Sequence, residues 1–120
     1  MTHVNSTLIL PGNKFILFGT KEGELCLYDN QLGTVIQTID AHRKEIWQIA
    51  MHTNPQVKKG KGQLLIATAS GDKTIKFWNL SQSSQGEIQL VFNEKIESTD
   101  EIMGVKFTHD GKYFVFSLLD

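Results

Sequence analysis

Apolar residues in this chain fall in short runs, each bounded by residues that favour turns. The runs cover 7–10, 14–20, 24–29, 34–40, 46–52, 64–70, 74–80, 88–92, 102–108 and 113–119. Between several of them stand Pro11-Gly12-Asn13, Glu22-Gly23, Asn30-Gln31-Leu32-Gly33, Gly71-Asp72-Lys73 and His109-Asp110-Gly111. Short strands with tight turns at regular spacing predict an all-β sandwich, barrel or propeller. Phe15-Ile16-Leu17-Phe18 and Tyr113-Phe114-Val115-Phe116 are apolar at both parities. A strand covered on both faces has that pattern, because alternate side chains point to opposite sides of a sheet.

One run is ambiguous by period alone. Residues 44–52 contain Glu, Gln, Ala and Met, and Ile46, Ile49 and Ala50 could line a helical face as well as a strand. An internal repeat resolves the choice. Gly19 through Asp29 aligns with Ala69 through Asn79 at a constant offset of 50, placing Glu22 at Asp72 and Tyr28 at Trp78. A third acidic residue, Asp120, follows another apolar run 48 positions after Asp72. Repeats of this length mark radially repeated β-architectures. In that frame 44–52 falls where the innermost strand of a four-stranded blade belongs, so the expectation is strand.

Bulk composition narrows the class. The chain has 120 residues, a hydrophobic content of 40% and a formal net charge of −1. It therefore reads as globular, and its charge argues against a chain built as a whole to coat nucleic acid or anionic lipid. No apolar run approaches the roughly 20 residues that span a bilayer, and the N-terminus lacks a basic-then-apolar leader pattern. The lone cysteine, Cys26, cannot form an internal disulfide, which fits a reducing compartment.

The motif with the most content is Asp72-Lys73-Thr74-Ile75-Lys76-Phe77-Trp78-Asn79, preceded by Ala41-His42 thirty residues upstream. An acidic turn, a strand ending in tryptophan and an upstream small-residue-His pair resemble a WD-repeat blade. The expected fold is thus all-β: a partial WD-repeat β-propeller of about two and a half four-stranded antiparallel blades. The blades are expected over 4–40, 41–96 and, incomplete, 97–120, as a piece of one longer propeller. The segments Gln37-Thr38-Ile39-Asp40-Ala41-His42, Ile46-Trp47 and Phe116-Ser117-Leu118-Leu119-Asp120 further resemble the WD repeat-containing protein 3 family of small-subunit processome subunits. The similarity runs from about Lys14 to Asp120. A Lys-rich loop at 53–62, and Asn79 where WD proteins usually carry Asp, depart from the pattern.

That resemblance implies a structural tetrad of His42, Thr68, Asp72 and Trp78, a buried chain of hydrogen bonds pinning turn and linker to the blade. The residue types suit it: imidazole can donate to a carboxylate, a hydroxyl donates and accepts, and an indole N–H only donates. A Thr/His/Asp trio also suggests a nucleophile, but the spacing together with Trp78 favours the structural role. The first copy has Phe18 and Tyr28 at the Thr68 and Trp78 positions, so apolar packing must replace its tetrad.

The resemblance further implies a non-catalytic nucleolar scaffold in 18S rRNA processing, working among protein subunits of a large ribonucleoprotein. An unrelated WD-repeat adaptor binding a peptide or protein is the alternative. Lys58, Lys59 and Lys61 form the only concentrated basic stretch and are candidate rRNA or small nucleolar RNA contacts. Three lysines without an interleaved aromatic residue fit a solvated loop better. Arg43 and Lys44 are candidate partner contacts on loops at one blade end. His3, His42, His52 and His109 are scattered, so neither a metal site nor a cofactor is expected. Apolar faces left without a neighbour would make the isolated chain prone to self-association.

Overall fold

The computed structural model describes residues 4–10, 14–53, 64–82, 88–107 and 114–118. Ten strands follow one another: β1 (Val4–Ile9), β2 (Phe15–Thr20), β3 (Glu24–Asp29), β4 (Thr34–Asp40), β5 (Ile46–Thr53), β6 (Leu64–Ser70), β7 (Thr74–Gln82), β8 (Ile88–Glu97), β9 (Ile102–Phe107) and β10 (Phe114–Leu118). They form two four-stranded sheets, β1-β2-β3-β4 and β5-β6-β7-β8, and a two-stranded sheet of β9 and β10. Every pairing is antiparallel and joins consecutive strands. The ambiguous segment is strand β5, held by its ladder to β6.

Turn chemistry sets the local geometry. Between β2 and β3 the N–H of Gly23 donates to the Thr20 carbonyl at 3.2 Å, with Gly23 at φ 90°. Between β3 and β4 the Asp29 carboxylate accepts from the N–H groups of Gln31 and Leu32 at 2.9 and 3.0 Å. Such a side-chain cap substitutes for backbone bonds that the reversing chain cannot make.

Strand β8 runs five residues beyond the apolar run that signals it, through Glu97. Its register with β7 slips once, between Phe77 and Trp78, and then continues to Thr74–Glu97. As an outermost strand it needs little burial there, and in its polar second half only Ile96 packs partly against the core.

The three sheets meet along their first strands. β5 packs against β1 on one side and β9 on the other. Side chains stitch this seam: Asn5 Nδ2 and Ser6 Oγ both donate to the Ile46 carbonyl at 3.2 Å, and Gln48 Oε1 accepts from Val105 N at 2.9 Å. Each first strand carries a bulge near its start, and the residues it leaves unpaired are Asn5, Trp47 and Met103. At the opposite edge, Gln37 of β4 reaches β8. Its Nε2 donates to the Leu90 carbonyl at 3.2 Å and its Oε1 accepts from Leu90 N at 2.8 Å.

Two apolar layers fill the gaps. Leu17, Leu25 and Leu27 of the first sheet pack with Ile46, Ile49, Ile66, Trp78 and Leu80 of the second. Ala67, Ala69, Ile75 and Phe77, on the other face of the second sheet, pack with Ile102 and Val105. Burying each of the larger side chains contributes on the order of 1.5–3 kcal/mol. The second sheet is thus covered on both faces. Of the two runs apolar at both parities, Phe15 through Phe18 has only Leu17 fully buried. The side chains of the other lie outside the described residues.

Candidate functional site

The linker of residues 41–45 leaves β4 and enters β5, crossing from the first sheet to the second. His42 lies at its start, with its side chain fully buried. The backbone N–H of His42 donates to the Gly23 carbonyl of the first sheet at 2.9 Å, beside a bond from Ala41 N at 3.1 Å. The ring points the other way, into the second sheet. Nε2 lies 2.7 Å from Thr68 Oγ1, and Nδ1 lies 3.0 Å from Asp72 Oδ2 and 3.0 Å from Thr74 Oγ1. Trp78 Nε1 completes the chain, donating to Thr68 Oγ1 at 3.1 Å. One residue therefore clamps two sheets, by its backbone to one and by its ring to the other.

The donor and acceptor inventory orders the protons. An indole N–H only donates, so Thr68 Oγ1 accepts from Trp78 and gives its own proton to His42 Nε2 at 2.7 Å in preference to the Lys76 carbonyl at 3.4 Å. Nε2 is then the acceptor and Nδ1 carries the proton, which it donates toward Asp72. Burial pushes the His42 pKa below its ordinary 6.5, Asp72 opposes the shift, and Lys76 adds to it. The imidazole is accordingly neutral at pH 7.

Asp72 is saturated. Besides His42 Nδ1, its Oδ2 accepts from Arg43 N at 3.1 Å, while Oδ1 accepts from Thr74 N at 3.0 Å and Thr74 Oγ1 at 2.5 Å. Burial acts to raise the Asp72 pKa, but the Thr74 hydroxyl, His42 and the Arg43 N–H outweigh it and hold the carboxyl below its ordinary 3.8. A charged acceptor in a partly buried place is tolerated only when its lone pairs are filled, as they are here.

Three further residues belong to the site that spacing alone does not single out. Thr74 closes the Asp72 turn, Ser70 Oγ bridges Lys44 O and Asp72 N at 3.2 and 3.1 Å, and Lys76 Nζ donates to the Ala41 carbonyl. The signal available for Thr74 was its place two residues after an aspartate, the spacing of a side-chain-capped turn. Arg43 contributes its backbone, leaving its side chain exposed, and Lys44 makes an exposed ion pair with Glu101 at 3.6 Å. Lys58, Lys59 and Lys61 lie outside the described residues, as do His3, His109 and Asp120.

Chemically, the arrangement can hold and cannot easily react. Thr68 is 0% exposed, so its hydroxyl has no open face toward a substrate. Burial raises the pKa of the Cys26 thiol, Thr38 hydrogen-bonding partly offsetting it, which keeps this cysteine in its unreactive form. Among the described residues, no three His, Cys, Asp or Glu side chains converge as metal ligands would.

The first sheet has the same turn without the network. Phe18 and Tyr28 occupy the positions of Thr68 and Trp78, and Glu22, at the Asp72 position, is exposed.

Residues 33–79 match the family model for the WD domain, G-beta repeat. This chain is a WD-repeat protein. The matched WD repeat begins in the turn before β4 and ends within β7, so it contains the whole His42 linker and straddles the two four-stranded sheets. Among curated proteins, U3 small nucleolar RNA-associated protein 12 of Saccharomyces cerevisiae is 32% identical over 122 residues, covering 92% of this chain and 12% of that protein. WD repeat-containing protein 3 of Homo sapiens is 27% identical over 119 residues, covering 95% of this chain and 12% of that protein. The chain thus spans 12% of the length of these relatives. Among solved structures, the Cps50 (Swd1) β-propeller domain of Myceliophteria thermophila superposes with a TM-score of 0.72 at 19% identity, over 96% of this chain and 34% of that one. The fold is therefore that of a partial WD-repeat β-propeller: two complete four-stranded blades and two strands of a third.

Proposed function

We propose that this WD-repeat chain is part of a non-catalytic interaction scaffold in a nucleolar ribosome-biogenesis complex that processes 18S rRNA. The carrying observation is the site itself. Its titratable and hydroxyl groups are satisfied by one another and closed to solvent, so they hold two blades in a fixed relation instead of turning over a substrate. The complex is suggested by the relative named as U3 small nucleolar RNA-associated, similar over 92% of this chain. In this reading His42, Thr68, Asp72 and Trp78 act as the structural tetrad of the blade over 41–96, between blades over 4–40 and 97–120. The partners are other protein subunits of the ribonucleoprotein, with Lys58, Lys59 and Lys61 as the candidate RNA contact.

A WD-repeat adaptor in another complex is the second reading, favoured by the exposed, mixed-charge loop end around Arg43 and Lys44. One experiment separates the two. Affinity purification of the tagged protein from nuclear extract should recover 18S precursor RNA and U3 small nucleolar RNA. Recovery of one discrete protein partner without either RNA would establish the adaptor reading instead.

A further inference from the structure

The two linkers that join successive sheets start alike and then diverge. The first leaves β4 at Asp40, which pairs with Glu24, and the second leaves β8 at Glu97, which pairs with Thr74. Ala41 N and His42 N donate to the Gly23 carbonyl, and Ser98 N donates at 2.8 Å to the carbonyl of Lys73, the residue equivalent to Gly23. Ser98 therefore stands where Ala41 does, and Thr99 stands where His42 does.

The occupants of that second position differ. His42 is buried, with its ring locked into the network. Thr99 is exposed, and among the described residues its hydroxyl has no hydrogen-bond partner. The charges that follow are also reversed: Arg43-Lys44 in the first linker, Asp100-Glu101 in the second. Asp100 is exposed, Glu101 pairs across the linkers with Lys44 at 3.6 Å, and Glu97 pairs with Lys95 at 3.2 Å. A free hydroxyl thus has a carboxylate two residues before it and one at each of the two positions after it.

No such access exists at other hydroxyls. Thr20, Thr68, Ser70 and Thr74 are buried and bonded. Thr7, Thr34 and Thr38 are exposed but lie within paired strands, where the backbone is not free to enter an enzyme cleft. Thr99 lies in the connection between β8 and β9, the kind of surface segment that enzymes reach.

We propose that Thr99 is a phosphorylation site for a Ser/Thr kinase that selects carboxylates around its acceptor. Kinases discriminate substrates by charge pattern, and a basic groove matches Glu97 and Asp100. The neighbouring linker and turn carry Arg43, Lys44 and Lys73 against Glu45 and Asp72. Those charges nearly cancel, so selection falls on the carboxylates that enter the cleft with the acceptor. In the transfer, the Thr99 Oγ1–phosphorus bond forms as the bond from the γ-phosphorus to the bridging oxygen of a nucleoside triphosphate breaks. The hydroxyl proton passes to the kinase's base, and the diphosphate leaves with the electron pair. The inference is independent of the scaffold reading.

The test incubates the folded 120-residue chain with Mg-ATP and either an acid-directed or an arginine-directed Ser/Thr kinase, and maps phosphate by tandem mass spectrometry. The acid-directed kinase should add one phosphate, on Thr99. Thr99→Val should abolish the transfer and Thr99→Ser should restore it. The double variant Glu97→Gln, Asp100→Asn should slow it about tenfold or more, with an unchanged melting temperature showing that each variant folds. Phosphate on Ser98 in place of Thr99, transfer to the heat-unfolded chain alone, or an equal rate with the arginine-directed kinase or the neutralised variant would each overturn the proposal. Recovery of 18S precursor RNA, or its failure, bears on the scaffold reading alone.

Discussion

The turns at 20–23 and 70–73 have the same backbone and unequal support. Gly23 and Lys73 both adopt positive φ, 90° and 73°, and both close the turn through their N–H, to Thr20 and Ser70. The first turn is held from outside. The Gly23 carbonyl receives two linker N–H groups, and the chain passes so close that a Cβ on Gly23 would collide with the His42 carbonyl. The second also docks a following linker, its Lys73 carbonyl accepting from Ser98 N at 2.8 Å, and is held besides from within by the carboxylate of Asp72 and the ring of His42. The closer approach at the first turn demands glycine, whereas the second adds a buried polar network to its docked linker and tolerates a strained lysine. His42 serves both, since its N–H docks the first turn and its imidazole the second.

Gly23→Ala should have the largest effect, because it combines strain at positive φ with loss of the docked N–H groups. A destabilisation of about 3 kcal/mol is expected in urea titration. A loss below about 1 kcal/mol would show that the close approach is dispensable.

Next comes His42→Ala, expected to cost roughly 1–3 kcal/mol through loss of a buried partner. In a double-mutant cycle with Asp72→Ala the two should couple by about 1 kcal/mol or more, whereas strict additivity would remove the network. Glu22→Ala, at the equivalent place in the first turn, should stay within about 0.5 kcal/mol.

A smaller effect should follow pH. His42 has a folded pKa below the unfolded 6.5, so the unfolded chain binds the proton first and stability falls as pH drops below that value. Asp72, also lowered, adds a second loss as pH falls below 3.8. Thermal melts between pH 8 and pH 5 should show the first slope in the wild type and a shallower one in His42→Ala.

The smallest change should be a gain. Lys73→Gly relieves left-handed strain at the cost of added unfolded-state freedom, leaving roughly 0.5 kcal/mol of stabilisation. A loss instead would mean that the lysine side chain itself supports the turn.

The ten strands were legible because each carries turn residues at its ends, and the inner ones are apolar at both parities. Asn93 through Glu97 were not, since this end of the outermost strand extends by pairing its backbone and half-buries only Ile96. His42, Thr68, Asp72 and Trp78 were legible as a spacing, and the structure brings all four within hydrogen-bonding reach. Lys76 was not, because nothing in a strand pattern says that a lysine will fold back onto a linker carbonyl. The unpairing of Trp47 was equally hidden, because a bulge is a mismatch between two strands and leaves no mark in one.

The Gln37 amide has a consequence beyond joining two blades. An outermost strand offers its outward N–H and C=O groups to any extended chain that drifts past, which is how sheets recruit foreign strands and aggregate. Leu90 presents such a pair, and Gln37 fills both positions with a group chemically equivalent to a peptide bond. The side chain behaves as a one-residue strand. It occupies the template at that point, so an intruding chain would first have to evict it.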